Sequence, residues 1–427
     1  MRCIKSQSKL RASHGFSDTY ALGLRRAGCA VAMTPEKLKF LSLFSGCGGL
    51  DLGFTNSGFR CVGAFDLDRG ALNTHRRNLS SPAFELDLST DRPPATLSAD
   101  VVIAGPPCQG FSTAGKRELN DPRNALLVSA AKVALQFKPS LFVMENVAGV
   151  RAGEHRMFWD QAEGLLKNAG YQTVTLKCQA VSLGLAQLRT RIVLIAWNTG
   201  KLCRLELAPV APKQLHEVLN VGSPAKNHEP KLLDPSSSLG KVASRIRPGQ
   251  KLCNVRLGEN AVHTWDIPEV FGEVTQRERQ TLSALAQLRR RERIRDYGDA
   301  DPVLPSSLKK LLRRDVSHDL DSLLDKGYVR KLGRRFDLTH TFNGKCRRLR
   351  WDEPAFTVDT RFGDPRYFLH PTEQRGFTVR EAARVQGFPD DFEFLGNERQ
   401  QYRMIGNAVP PPMALQIADL VREAVFA

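Results

Sequence analysis

The thiol of Cys108 sits in Gly105-Pro-Pro-Cys-Gln-Gly-Phe-Ser112, a segment stiffened by two prolines and edged by glycine. A cysteine kept for packing is usually buried in a strand or helix, whereas a nucleophile needs partial exposure and surroundings that lower its pKa. The loop favours a nucleophile, with an inert thiol as the alternative. Glu145, in Glu145-Asn-Val147, follows the apolar run Leu141 to Met144. A carboxylate ending a buried strand tends to have a raised pKa and to be useful as an acid; otherwise it is a surface acid. Arg189 and Arg191, in Gln187-Leu-Arg-Thr-Arg191, are spaced to point to one side of an extended chain. They could converge on a phosphate or a substrate oxygen, or lie solvated on an edge strand. Phe44-Ser-Gly46-Cys47-Gly48-Gly49 can turn sharply and approach a ligand closely, because side chains at the glycines would block both. Its third glycine is adjacent to its second, unlike the Gly-x-Gly-x-x-Gly cradle of a pyrophosphate. Asp66, 20 residues after Gly46, is placed to accept from both hydroxyls of a ribose. Asp87, flanked by Leu86 and Leu88, could meet an adenine ring.

These residues lie where strands would end. The runs Lys39–Phe44, Phe59–Phe65, Ala99–Ala104 and Ser140–Met144 are β-prone, and Leu50–Ser57, Gly70–Leu79 and Asn124–Gln136 between them are helix-compatible. Strands alternating with helices indicate βαβ units and a parallel sheet, in which ligands bind at the carboxyl ends of the strands. The expected fold class is therefore α/β, doubly wound around a mostly parallel sheet.

A chain of 427 residues with 41% hydrophobic and 25% charged residues is long enough for a sizeable core and is neither disordered nor fibrous in composition. No apolar run approaches the roughly 20 residues that span a bilayer, which argues against a membrane protein. Nine cysteines without Cys-x-x-Cys or zinc-type spacing suggest reduced thiols in the cytoplasm and no metal. The net charge of +17 points to a polyanionic partner. Residues 276–350 carry 20 Lys/Arg against 10 Asp/Glu. Within them, residues 303–340 read as helix, helix, hairpin, compatible with a small winged-helix-like element or with a solvated basic surface. Residues 1–33 hold six Lys/Arg and one acid without a signal-peptide core, and read as a dispensable arm or as sequence upstream of a start at Met33.

Taken together, Phe44–Gly53, Gly105–Ser112, Glu145–Val147, Gln187–Arg191, Arg380-Glu-Ala-Ala-Arg-Val-Gln-Gly-Phe-Pro389 and Gly406-Asn-Ala-Val-Pro-Pro411 resemble, in order and wording, the block motifs of cytosine-5 DNA methyltransferases of bacterial restriction–modification systems. The resemblance covers roughly residues 39–197 and 351–425. It implies the class I S-adenosylmethionine-dependent methyltransferase fold with a smaller inserted target-recognition domain. The expected divisions are 34–205 for the first catalytic part, 206–350 for target recognition and 351–427 for the return to the catalytic domain.

The resemblance also implies a mechanism. Carbon 5 of cytosine is a poor nucleophile, and addition of a thiolate to carbon 6 converts the ring to an enamine that can attack a methyl sulfonium. Cys108 would be that thiolate, Glu145 would hold or protonate N3, Arg189 would contact the O2 side of the base, and Arg191 would support the Cys108 loop. S-adenosylmethionine would be the methyl donor. Phe44, Gly46, Cys47, Gly48 and Gly49 would pack around it, Asp66 would bind the ribose, Asp87 the adenine edge, and Asn407 would close the site. Leu67, Leu88 and Pro107 would line it, Leu67 standing where many members have an aromatic ring and Asp66 where Glu is common. The expected partner is duplex DNA, bound by a monomer in the bacterial cytoplasm, with room for a separately acting restriction endonuclease. A tRNA cytosine-5 methyltransferase and a non-catalytic DNA-binding regulator are the alternatives. Against the first, residues 200–350 lack a Cys-Phe-Thr signature; against the second, the reactive motifs are intact.

Overall fold

The computed structural model describes residues 37–107, 121–201, 203–219, 225–293 and 301–426. The loop expected to carry Cys108 and the 1–33 arm lie outside the described residues. Strands β1 (Lys39–Leu43), β2 (Arg60–Asp66), β3 (Ala83–Glu85), β4 (Val101–Ala104), β5 (Leu141–Val147), β6 (Gln172–Gln179) and β8 (Thr190–Trp197) form one sheet in the order β3-β2-β1-β4-β5-β8-β6. Strands β1 to β5 pair in parallel and β8 runs antiparallel to both its neighbours. The short β7 (Gln187–Leu188) leaves this sheet to pair with a C-terminal strand. Strand β5 is longer than its apolar run suggests, so Glu145 lies inside it, opposite Val193 of β8.

Side chains alternate between the two faces of the sheet, and both are covered. Phe40, Val101, Ile103, Leu141, Val143, Val193 and Ile195 face one core, Leu41, Leu43, Val102, Phe142, Met144 and Leu194 the other. Helices α3 (Leu126–Gln136) and α4 (Arg156–Asn168) cover the second face. The first is covered by α1 (Gly49–Asn56), part of α2 (Arg69–Asn78), and a helix from the far end of the chain.

Between these parts, α5 (Leu215–Leu219), α6 (Ser238–Arg245), β9 (Lys251–Cys253), β10 (Ala261–Val262) and α7 (Pro268–Phe271) lead into α8 (Gln276–Arg291). Helices α9 (Pro305–Leu312) and α10 (Ser317–Asp325) and the hairpin of β11 (Val329–Leu332) and β12 (Arg335–Leu338) follow. This segment has its own core, including Leu282, Leu285, Val303, Leu308, Leu320, Leu323 and Phe336. Strands β13 (Asn343–Lys345), β14 (Arg347–Arg348), β15 (Ala355–Phe356) and β16 (Phe368–Leu369) bring the chain back, and β15 pairs with β7. Helix α11 (Val379–Gln386) starts at a capping box of Thr378 and Glu381, α12 (Glu398–Asn407) at one of Asn397 and Gln400, and α13 (Pro411–Val421) behind Pro410-Pro411.

Helix α13 fills the first face by lying against α1, and Gly53 permits the contact. A Cβ at Gly53 would stand 2.3 Å from the Ala414 Cβ and 2.5 Å from the Leu415 nitrogen, both carried by a helix rather than by a flexible side chain. Gly53→Val should therefore push α13 away and cost about 1–3 kcal/mol of stability, read as a lower midpoint in urea unfolding. An unchanged midpoint would mean that the two helices separate without strain.

Candidate active site

The segment joining β1 to α1 turns through two left-handed glycines, Gly46 at φ 56° and Gly48 at φ 93°, and Phe44 itself adopts φ 56°. The two glycines do different work. A Cβ at Gly46 would meet no atom within 4 Å, whereas one at Gly48 would fall 2.6 Å from Leu79 Cδ1 and 2.8 Å from His75 Cδ2. Gly48 thus faces the protein interior and not the ligand side expected of it. A Cβ at Gly49 would lie 2.4 Å from the Val409 carbonyl oxygen, so the C-terminal segment seats directly on this turn.

A cavity of about 320 Å³ opens over the carboxyl ends of β1, β2, β4 and β5. Phe44, Gly46, Cys47 and Gly49 line it from the turn, and Asp66, Leu67, Asp87 and Leu88 from the ends of β2 and β3. Pro107, Glu145 and Arg191 line it from the next strands, and Asn407 from the end of α12. The Asp66 carboxylate accepts the Gly46 N–H at 2.8 Å on one oxygen and the Asp68 N–H at 2.8 Å on the other. Each oxygen keeps a second lone pair, the number a ribose diol needs. Burial raises the Asp66 pKa against the pull of these donors. Asp87 Oδ1 accepts from the Ser89 amide and hydroxyl, which hold its pKa down. Leu67 is 61% exposed at the cavity, an aliphatic wall and not an aromatic one. The Cys47 thiol is buried and its pKa is pushed up to about 12 by that burial, so it stays protonated.

Glu145 is buried beside Arg191, whose Nε lies 2.6 Å from Oε1. Burial raises the Glu145 pKa, and Arg191 and then Arg189 oppose it without reversing it. The next residue, Asn146, is 1% exposed and donates from Nδ2 to the Pro106 carbonyl at 3.0 Å. It ties the start of the Pro-Pro segment to the strand that bears Glu145.

The arginine pair does not converge as its spacing suggests. Arg189 falls in the break between β7 and β8, so the alternation of an extended strand does not run through both residues. It is 1% exposed and donates to the carbonyls of Val358 (2.8 Å), Gly406 (3.1 Å) and Ala408 (2.9 Å). The expected contact of Arg189 with a base is therefore corrected: this side chain holds the C-terminal segment, and Arg191 is the arginine on the cavity wall. Gln187 does similar work, donating to the Val385 carbonyl at 3.0 Å and to Gln386 Oε1 at 2.7 Å. Gln386 in turn donates to the Ile405 and Ala408 carbonyls.

Sequence reasoning passed over several residues around the site. Ser42 donates to Asp51 Oδ2 at 2.9 Å, and Asp51 Oδ1 lies 3.1 Å from His75 Nε2; all three are buried beneath the turn. Arg403 of α12 pairs with Asp68, which also caps α2, at the edge of the cavity. Asp51 and His75 stand 24 residues apart, on α1 and α2 with β2 between them, so no local pattern signals their contact. Among the described residues no group of three His, Cys, Asp or Glu is placed to hold a metal, and no helix is long and apolar enough to cross a membrane.

A family model described as C-5 cytosine-specific DNA methylase matches residues 38–423. The chain is 31% identical to the type II methyltransferase M1.HphI of Haemophilus parahaemolyticus over 90% of this chain and 86% of that one. It is 29% identical to the type II methyltransferase M.XorII of Xanthomonas oryzae pv. oryzae over 90% and 84%. Among solved structures it is similar to a prophage-encoded DNA modification methyltransferase from E. coli, with TM-score 0.53, 22% identity, and 92% and 100% of the two chains covered. That likeness speaks to the fold.

The two arginines should separate on mutation. Arg189→Leu takes the donor from the buried Val358 and Gly406 carbonyls, while the Ala408 carbonyl keeps Gln386; at about 1–3 kcal/mol for each group left unsatisfied, it should lower the urea midpoint strongly. Arg191→Leu should leave the midpoint near that of the unaltered protein, because Glu145 can take up a proton when its cation is gone. Equal losses of stability would contradict the division of labour.

Proposed function

The chain belongs to the C-5 cytosine-specific DNA methylase family, and on that premise we propose that it is the modification enzyme of a type II restriction–modification system, methylating a flipped-out cytosine within a specific duplex sequence. S-adenosylmethionine is the methyl donor and, when bound, supplies an electrophilic methyl group on sulfur. The observation that carries the reading is one cavity lined both by Gly46, Cys47 and Gly49 with Asp66 and by the Glu145–Arg191 pair. A donor site and a base site that share walls are what direct transfer between two substrates requires.

The residues divide the work between donor and base. Asp66 accepts from the ribose hydroxyls of the donor on its unused lone pairs, Asp87 meets the adenine edge, and Asn407 closes the site from α12. The N-terminal turn of α1 borders the cavity, where its dipole favours the donor's carboxylate. The target base must leave the stack to reach this depth, at a cost of about a few kcal/mol. Glu145, whose pKa burial raises, gives its proton to N3 as the Cys108 thiolate adds to carbon 6, so negative charge does not build up on the ring. Carbon 5 then takes the methyl group; water accepts the carbon 5 proton, the thiolate is expelled, and N3 returns its proton to Glu145, which restores the neutral aromatic ring. Arg191, beside Glu145, takes the O2 side of the base in place of Arg189. Residues 34–205 and 351–427 form the catalytic part, residues 206–350 recognise the target, and residues 1–33 are a dispensable arm. The enzyme acts as a cytoplasmic monomer, apart from any cognate endonuclease.

Incubation with S-adenosylmethionine and DNA containing 5-fluorocytosine should trap a covalent protein–DNA adduct, because fluorine at carbon 5 cannot leave as a proton does. Cys108→Ser should form none; a full yield of adduct from that variant would refute the thiolate mechanism. The protonated form of Glu145 is the active one, so kcat/KM should fall as pH rises through its raised pKa. Arg191→Leu removes a cation that lowers this pKa and should move the alkaline limb to higher pH. A limb that stays in place would show that Glu145 is not the titrating acid.

A further inference from the structure

The segment from α8 to β12 has the connectivity of a winged helix. Helix α8 is followed by a one-residue strand at Val303, then α9, α10 and the β11–β12 hairpin. Val303 and Phe336 exchange both backbone hydrogen bonds at 2.8 Å, adding Val303 as a third strand beside β12. In a helix-turn-helix arrangement the second helix of the pair, here α10, is the one expected to enter the major groove.

The charges contradict that expectation. The exposed side of α10 carries Ser317, His318, Asp321 and Asp325. Asp321 and Asp325 are one helical turn apart, and neither forms an ion pair among the described residues. A helix in a groove runs between two rows of phosphates, and this face would meet them with like charge. The one other acid of α10, Asp319, is buried and held by Arg277 at 2.7 Å and by Arg314, so both cations are already neutralised by a protein carboxylate, although Arg277 stays half exposed.

The wing has the opposite character. Its two-residue turn, Gly333-Arg334, is flanked by Lys331 and Leu332 on β11. Lys331 and Arg334 are exposed, and no acidic side chain pairs with either among the described residues. Leu332 is 46% exposed between them, an apolar side chain at a basic tip. Further back, Arg330 is tied to Asp337 at 2.9 Å and Arg335 to the Pro302 carbonyl at 3.0 Å, which stiffens the hairpin. A rigid ribbon with a basic and apolar tip suits the minor groove, where cations meet the phosphates and an aliphatic side chain can press between base steps.

We propose that this unit engages duplex DNA through its wing, with Lys331 and Arg334 on the phosphates and Leu332 against the minor-groove floor, and that α10 faces away from the duplex. The assignment rests on the reading of the protein as a DNA methyltransferase and names the contact surface within it.

The test uses the full chain, S-adenosylmethionine and bacterial genomic DNA amplified in vitro, which carries no modification. Lys331→Ala/Arg334→Ala should raise the KM for DNA, leave the KM for S-adenosylmethionine unchanged, and reduce the slope of log KM against log salt by about 2, one for each phosphate no longer neutralised. Leu332→Ser should raise the KM for DNA without changing that slope. Asp321→Asn/Asp325→Asn should leave the KM, the slope and the methylated sequence as they are. All substituted side chains are exposed or half-exposed, and a matching urea midpoint checks that each variant folds. A wing variant with unaltered KM and slope, or an α10 variant that changes the methylated sequence, overturns the assignment. If the unaltered protein transfers no methyl group to this DNA, the methyltransferase reading fails first.

Discussion

Arg189 carries a permanent charge into the interior of the catalytic part and places its donors on backbone carbonyls that belong to residues 358, 406 and 408. A buried cation without partners is prohibitively costly, so the side chain is stable only when the C-terminal segment is docked around it. The rest of the site depends on that condition. The segment it holds supplies Met404, Asn407, Ala408 and Val409 to the cavity wall, and it continues into α13, which covers one face of the sheet. A chain that leaves its catalytic sheet at residue 197 and returns some 150 residues later needs such a lock, because nothing in the local sequence brings the ends together.

The same docking explains the glycines. Gly49 admits the Val409 carbonyl and Gly53 admits Ala414, so α1 has backbone or small side chains against it along one flank. The N-terminal end of α1, Gly49 to Asp51, opens on the cavity. The glycine-rich segment is therefore shaped by two demands at once: Gly46 leaves space on the ligand side, and Gly48, Gly49 and Gly53 allow protein to pack closely behind it. Beneath it, the buried Ser42, Asp51 and His75 join β1, α1 and α2 by hydrogen bonds.

Electrostatics sets the chemistry on the opposite side of the cavity. Glu145 lies inside β5 with apolar neighbours on the strand, and desolvation outweighs the attraction of Arg191. Were the pair more exposed, this upward push on the carboxyl pKa would be smaller. Cys47, close by, is kept protonated by the same burial.

The chemistry-bearing residue types and the parallel sheet were legible in the amino-acid sequence, because strand runs, helix spacing and glycine turns are local patterns. Asp66, Asp87, Glu145 and Asn407 do line one cavity, as their positions at strand and helix ends suggest. Local patterns could not tell Arg189 from Arg191. Their spacing predicts a common direction, but the strand breaks between them, and the carbonyls that claim Arg189 come from residues about 170 to 220 positions away. Nor could they show that Gly48 faces the interior, that Arg380 is buried on the carbonyls of Lys226, Pro389 and Phe392, or that Asp321 and Asp325 of α10 lie on its exposed side while Asp319 is buried. Sequence by itself determined which groups are present and which elements carry them. The tertiary structure decided which of two like charges meets solvent or ligand and which is sealed in, since burial and partners arise only when distant segments pack together.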